Sequence, residues 1–330
     1  MMKSVSGGSC NDDSPEEPAH IPVLWREILR SLEELPLQDR VVVDCTLGEG
    51  GHSELILERF AAVRVIGIER DGAVMKLAEK RLGRFRRRIQ FIRDNFSNIA
   101  RSLEDSGGNI IAFLYDFGIS SYHLDRSGRG FSFRGDEPLD MRLDDQIEID
   151  ARHIVNTSSQ RELADLFFTY GEERWSKRIA RYIAEKRVKK SIDTSAELAE
   201  LILSAIPRRY HVRNIHPATR VFQALRIAVN DELAAIERSL SDAIDILSPG
   251  GRVMAISFHS LEDRIVKNIF RRRARGCTCN EPPQHCRCQG RPLVAVLTKK
   301  PIVPGADERE LNRRARSARL RICEKLIPTG

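Results

Sequence analysis

Four carboxylates stand where a cofactor site of an α/β fold would need them: Asp44, Glu69, Asp94 and Asp116 each fall at or just past the end of a short apolar run. The first run, Val41-Val-Val-Asp-Cys45, leads into Thr-Leu-Gly48-Glu-Gly50-Gly51-His52-Ser53. That pattern reads as a buried strand, a glycine-rich turn and a helix from about Ser53. A second strand beginning at Arg64 closes on Glu69, 25 positions after Asp44. Glycines allow the main chain to approach a ligand, and a carboxylate ending the second strand can accept both hydroxyls of a ribose.

The loop discriminates between nucleotide-type cofactors. A dinucleotide fingerprint is G-x-G-x-x-G; here Gly48 and Gly50 supply the first two glycines, and Ser53 stands where the third belongs. Asp44 and Glu49 make the turn negative, which repels a pyrophosphate and attracts the sulfonium and ammonium of S-adenosylmethionine. The turn therefore favours a methyl donor over NAD, with a purely structural turn as the remaining reading.

Around this loop the strand candidates are residues 41–45, 65–69, 89–93 and 110–116, separated by helical pieces such as 73–82. Alternation of this kind predicts βαβ units and a parallel sheet, and nearly continuous apolar strands fit a sheet covered on both faces. Residues 125–145 are rich in Asp, Arg and Gly and read as a polar loop. Helices are expected over 161–169, 174–186 and 195–206, the last opened by a capping box from Thr194 and Glu197. No strand pattern occurs between about 125 and 215, so this stretch reads as an inserted helical subdomain. The apolar spacing then predicts one long helix from His216-Pro217 to Leu247, ended by Pro249-Gly250-Gly251. A strand at 252–258 follows, and 293–298 with 319–325 read as a closing hairpin edge.

With 41% hydrophobic and 31% charged residues, the 330-residue chain has the composition of a soluble globular protein. No apolar run approaches the roughly 20 residues that cross a bilayer. Residues 1–19, with Asp12, Asp13, Glu16 and Glu17, read as a disordered acidic tail, unlike a signal or transit peptide, and a cytoplasmic location is expected. From Leu261 onward 17 Lys and Arg face 7 Asp and Glu, whereas the rest of the chain is nearly balanced. A basic C-terminal region fits a polyanion such as RNA or DNA. Cys277, Cys279, Cys286 and Cys288 form a C-x-C, six residues, C-x-C array with His285 inside it. Thiolates in that number can hold zinc, yet the usual step is C-x-x-C, so no metal is assigned.

Ligands of open parallel sheets bind at the carboxyl ends of strands. There the glycine loop would meet the amino-acid part of the donor, Glu69 its ribose and Phe96 its adenine, with Asp116 nearest the transferring methyl. The lone pair of a nucleobase amine is delocalised, so an acceptor for its N–H must raise nucleophilicity. Asp116 is the candidate acceptor, with cofactor binding alone as its other role. His259, in Ser257-Phe-His-Ser260, is a candidate proton acceptor or a structural histidine at a strand end.

Several strings taken together resemble one family: His20-Ile-Pro-Val-Leu24, residues 44–53, Asp116-Phe-Gly-Ile-Ser-Ser121, Arg129-Gly-Phe-Ser-Phe133, Pro138-Leu-Asp-Met-Arg142, Tyr170-Gly-Glu-Glu-Arg174, His216-Pro-Ala-Thr-Arg220 and Ser257-Phe-His-Ser-Leu-Glu-Asp-Arg264. The chain looks like the bacterial 16S rRNA cytosine-N4 methyltransferases, the MraW or RsmH family, from His20 to about Glu324. The resemblance implies a Rossmann-like class I S-adenosyl-L-methionine-dependent methyltransferase sheet, residues 20–124 and 216–330, with a helical substrate-recognition domain inserted at 125–215. It further implies action on a decoding-centre cytosine of 16S rRNA within the small ribosomal subunit. The family's donor contacts map onto Gly50, Gly51, His52, Glu69, Phe96 and Asp116. One further contact, often Gln in relatives, is His123 here, and Glu69 stands where many relatives have Asp. Arg142, Arg208, Arg209, Arg213 and Arg220 are expected to face the RNA. Oligomeric state stays open, a homodimer being one option.

Overall fold

A computed structural model describes residues 22–105, 109–211, 216–275, 285 and 290–327. Seven strands form one sheet in the order β3-β2-β1-β4-β5-β7-β6: β1 Val41–Asp44, β2 Arg64–Ile68, β3 Ile89–Ile92, β4 Ile110–Asp116, β5 Arg252–Ser257, β6 Val294–Val296 and β7 Arg319–Lys325. The first five run parallel. β7 is antiparallel to both β5 and β6, so β6 alone forms that edge. The expected Rossmann-like α/β sheet is the observed fold, with strands drawn from β-branched and aromatic residues.

Helices α1 Trp25–Glu33, α2 Gly51–Arg59, α3 Gly72–Leu82, α4 Ile99–Ser102 and α5 Ser121–Asp125 belong to the first half. Between β4 and β5 lie α6 Ala151–Thr157, α7 Gln160–Gly171, α8 Ser176–Arg187 and α9 Ser195–Ala205, then α10 Thr219–Asn230 and α11 Glu232–Ile246. After β5 come α12 Ser260–Arg275 and α13 Ala306–Leu311. From residue 125 to 211 the described residues hold no strand, only the isolated bridge Pro138–Thr194. Helix α6 and the capping box that opens α7, Ser159 with Glu162, were not anticipated from sequence. At Thr194 only half of the expected box forms, because Glu197 turns its carboxylate to the Asp193 N–H at 2.9 Å.

The single long helix expected over 216–247 is two helices. Asp231 adopts φ 48° between α10 and α11, a left-handed conformation that Asp and Asn tolerate better than most residues. Asn230 holds the break in place: its side chain accepts the Leu143 N–H at 2.9 Å and donates to the Met141 and Arg226 carbonyls. The break sends one apolar pattern into two cores. Val221, Phe222 and Leu225 of α10 pack with Phe167, Ile179 and Ile202 of the helical layer. Ile236, Leu240 and Ile244 of α11 pack against Phe113, Tyr115 and Val253 of the sheet. The second face of the sheet buries Ile28, Leu57 and Leu82 over Val42, Leu114 and Met254. At about 25 cal/mol per Å² of apolar surface, these three clusters are what stabilises the molecule.

Candidate active site

The strand order reverses between β1 and β4, and the loops that follow these strands meet there. The Asp116 N–H donates to Thr46 Oγ1 at 2.6 Å, which joins the two loops across the crevice. Such a switch point is where open α/β sheets take ligands. The turn after β1 uses glycine twice for separate reasons. Gly50 sits at φ 84°, and a Cβ there would also lie 2.8 Å from Leu82; a Cβ on Gly51 would lie 2.8 Å from Pro22. The helix α2 starts at Gly51, two residues earlier than expected.

Glu69 ties the end of β2 to that turn. One of its oxygens accepts the Gly48 N–H at 3.0 Å and the other the Asp71 N–H at 2.9 Å. Burial pushes the carboxyl above its ordinary range, partly opposed by the Asp71 N–H. Each oxygen keeps a lone pair for a hydroxyl. Phe96, at the start of a 3₁₀ turn, stands edge-on to Tyr115 with ring centroids 6.1 Å apart. Asp94 fixes the turn around Phe96 by accepting from the Asn95 N–H and the Asn98 and Ser102 side chains.

A cleft of about 680 Å³, its open mouth included, is lined by Thr46, Glu69, Phe96, Asp116, His123 and Glu262. A second cleft of about 1360 Å³ is walled by Phe131, Phe133, Phe222, Phe258, Arg226 and His259. The two share Asp116, Phe117 and Gly118. One carboxylate therefore borders a polar cleft at the sheet end and an aromatic cleft toward the helical layer.

Asp116 Oδ2 lies 3.6 Å from His52 Nε2. Both that nitrogen and Asp116 Oδ1 are buried and have no hydrogen-bond partner among the described residues. Behind them Asp44 is fully buried, accepting the Ser53 hydroxyl at 2.7 Å and the Thr46 N–H at 3.3 Å. Burial pushes the Asp44 carboxyl up to about 6 against the pull of His52 and these hydrogen bonds.

Glu49, expected to lend the turn negative charge toward the ligand, is engaged elsewhere. Its carboxylate accepts the Tyr122 N–H at 3.2 Å and pairs with Arg126 at 3.1 Å. His123 likewise has both ring nitrogens in use: Nδ1 accepts the Ser120 N–H at 3.1 Å, leaving Nε2 to donate to Asp71 at 3.0 Å. Asp71 also takes Arg129; burial would raise this carboxyl, but His123, Arg129 and the Ala73 N–H hold it well below the usual carboxylate range. His123 thus reaches the cleft through its ring edge.

His259 stands on the aromatic side, separated from the His52–Asp116 pair in sequence and held by Glu262. Its Nε2 lies 3.0 Å from Glu262 Oε1, while Nδ1 accepts the Glu262 N–H at 3.4 Å. Glu262 Oε2 takes the N–H groups of Phe258 and His259. Glu232, His259 and Glu262 bring ligand atoms within 4.8 Å of one another. Arg226 already supplies a cation there, in a two-pronged contact with Glu232 at 2.9 and 3.0 Å. The four-cysteine array falls outside the described residues. Cys45 and Cys323 are buried free thiols whose burial raises them far above the usual range, so neither is poised to react.

Among the arginines expected to face RNA, Arg142 is tied to Asp140 at 2.7 and 2.9 Å and to the Ile147 carbonyl. Arg208, Arg209 and Arg220 are exposed, and Arg213 lies outside the described residues. Arg226, Glu232, Glu262 and the four phenylalanines of the second cleft escaped sequence reasoning. The alternation of Phe131 and Phe133 within Arg-Gly-Phe-Ser-Phe was the one local signal available.

Comparison with known proteins places these clefts in context. Residues 17–326 match the model of the MraW methylase family. A relative from Carboxydothermus hydrogenoformans, described as ribosomal RNA small subunit methyltransferase H, is 47% identical over 312 residues, covering 94% of this chain and 99% of its own. One of the same description from Finegoldia magna is 43% identical over 311 residues, covering 93% and 99%. Among solved structures, that of a putative rRNA methylase from Clostridium thermocellum aligns with a TM-score of 0.42 at 12% identity, over 93% of this chain and 100% of its own.

Proposed function

This chain belongs to the MraW methylase family, and on that footing we propose that it methylates the exocyclic N4 amine of a decoding-centre cytosine in 16S rRNA. The methyl donor is S-adenosylmethionine, whose sulfonium supplies the electrophilic methyl group. The observation that carries the reading is the pair of clefts meeting at Asp116. The polar cleft is lined by Glu69, which suits a ribose, Phe96, which suits an adenine, and Asp116, and the aromatic cleft has four rings suited to a nucleobase.

In this reading Gly50, Gly51 and His52 border the amino-acid part of the donor, Glu69 accepts the ribose hydroxyls and Phe96 faces the adenine. His123 contributes its ring edge and fixes Asp71. The cytosine leaves its stack to enter the aromatic cleft. Asp116 accepts an N4–H hydrogen bond there, which returns lone-pair density to the nitrogen and orients it toward the methyl. The bound donor would supply its methyl to N4, Asp116 would take the amine proton, and His52 borders that carboxylate with its Nε2 3.6 Å away. His259 positions the cleft wall through Glu262. The helices between residues 125 and 215, with α10 sharing their core, form the RNA-recognition unit. The names of the relatives specify a small-subunit rRNA substrate. No described helix is long and apolar enough to cross a membrane; a ribosomal substrate would place the reaction in the cytoplasm.

The test is transfer of labelled methyl from S-adenosylmethionine to small ribosomal subunits that lack the modification, with the nucleoside identified by mass spectrometry. N4-methylated cytidine is the expected product. Label on another atom or base would overturn the assignment.

A further inference from the structure

A second recess lies on the helical layer beside the aromatic cleft. It holds about 670 Å³, its open side included, and is walled by Glu173, Arg174, Trp175, Tyr210, His216 and Arg220. The rings of Trp175 and Tyr210 lie 5.1 Å apart. The Arg174 guanidinium sits 5.0 Å from the Tyr210 ring and 5.8 Å from that of Trp175, with Arg209 4.9 Å from Tyr210 on the exposed side. Tyr210 keeps 37% of its surface exposed. The indole N–H of Trp175 is buried without an acceptor among the described residues. Two carboxylates stand by: Glu173, which lines the recess, is buried and accepts the Trp175 main-chain N–H at 2.8 Å, and the exposed Glu172 beside Arg220 is engaged by Ser260 and Arg264.

This recess and the aromatic cleft share a thin wall. His216, which lines the recess, stacks on Phe133, which lines the cleft, with centroids 4.3 Å apart and planes 16° from parallel. Burial lowers the His216 pKa, with a further push from His211, which favours the neutral ring in that stack. Two consecutive nucleotides with splayed bases can straddle a wall one ring pair thick.

We propose that this recess receives the nucleotide adjacent to the target cytosine, its base packed in the angle between Trp175 and Tyr210, whose planes are tilted by 50°, and its phosphate held by Arg174, Arg209 and Arg220. The inference rests on the RNA reading above and adds a specificity subsite to it. Aromatic faces flanked by guanidinium groups suit single-stranded nucleic acid, because every base offers a π-face and every linkage a negative charge.

Trp25 and Trp175 are the only tryptophans in the chain. The full-length Trp25→Phe protein therefore reports on the recess by fluorescence alone. Titration with a single-stranded RNA hexanucleotide containing one cytosine should quench Trp175, and making the neighbours of that cytosine abasic should remove most of the quenching. In methyl transfer to small subunits, Tyr210→Ala should raise KM about tenfold, with kcat and donor affinity within twofold of wild type. Tyr210→Phe, which keeps the ring, should restore KM. Equal quenching by the abasic RNA, no quenching at any RNA concentration, or an unchanged KM in Tyr210→Ala would each overturn the subsite. If methyl transfer by the wild-type protein succeeds and these results fail, the subsite falls alone; if the wild type transfers no methyl to RNA, both readings fall.

Discussion

The two clefts that meet at Asp116 are built in opposite ways. The polar cleft is made largely from residues at strand ends, Thr46, Glu69, Asp94 and Asp116, with Phe96 and His123 close after them. The aromatic cleft is made of side chains brought from Phe131 and Phe133 on a loop, Phe222 on α10 and Phe258 after β5. A ligand that never varies can be gripped by groups fixed at strand ends, whereas a base displaced from a folded RNA needs broad, tolerant faces. Substitutions in the first cleft should thus affect chemistry and donor affinity, and those in the second should affect KM for RNA.

The sharpest test of that division is Asp116→Asn, because Asp116 belongs to both sides. Turnover should fall by about 10² or more, while donor affinity measured by calorimetry stays within a few-fold. Retained turnover would remove Asp116 from the reaction. Phe133→Ala probes the aromatic side alone: KM for small subunits should rise about tenfold with donor affinity unchanged. Equal damage to both constants would mean the clefts are not separable.

The smallest effect comes from pH. Asp44 titrates at about 6 in the folded protein against an ordinary 3.8, with burial the main cause. Its protonated form is favoured by folding, so that contribution to stability is complete below the ordinary value and lost as pH rises through about 6. The negative charge gained over the same window favours a cationic donor, so donor affinity should strengthen several-fold between pH 5 and 7 by about the amount a partial charge interaction allows. Asp44→Asn should flatten that rise; an unchanged profile would assign it to another group.

Legibility in the sequence follows the same division. The glycine turn and the closing acid could be read because strand, turn, helix and acid are contiguous, and contiguity is what a motif records; of the donor contacts expected, Glu69, Phe96, Asp116 and His123 line the polar cleft, whereas Gly50, Gly51 and His52 do not. β4 ended at Asp116 as expected, and Glu69 took the position at the end of β2. The hydrogen-bond partners of Glu49 and His123 could not be read, because Arg126, Tyr122 and Asp71 become their neighbours only once α5 packs on the loop. The aromatic cleft was hidden for a similar reason. Its residues belong to four separate segments, and the Arg226–Glu232 pair spans a break that the apolar spacing of 216–247 runs straight through. Asn230-Asp231 was the available sign, a pair suited to left-handed backbone and side-chain capping, outweighed by the regularity around it.

The pairing of β4 with β5 joins Ala112 to Arg252. Every parallel contact between these central strands therefore waits for the intervening helices to collapse. Loop closure costs only about 0.6 kcal/mol per doubling of length when the loop is slack, and a helical layer that has already condensed brings its two ends together more cheaply still. Contacts between successive helices such as α7 and α8 are short in sequence and are expected to form ahead of the β4–β5 pairing, which spans the whole insertion. During synthesis the glycine loop and Glu69 would thus emerge early, yet Asp116 would gain the Ile256 side of its crevice only after the ribosome had released nearly the whole recognition unit.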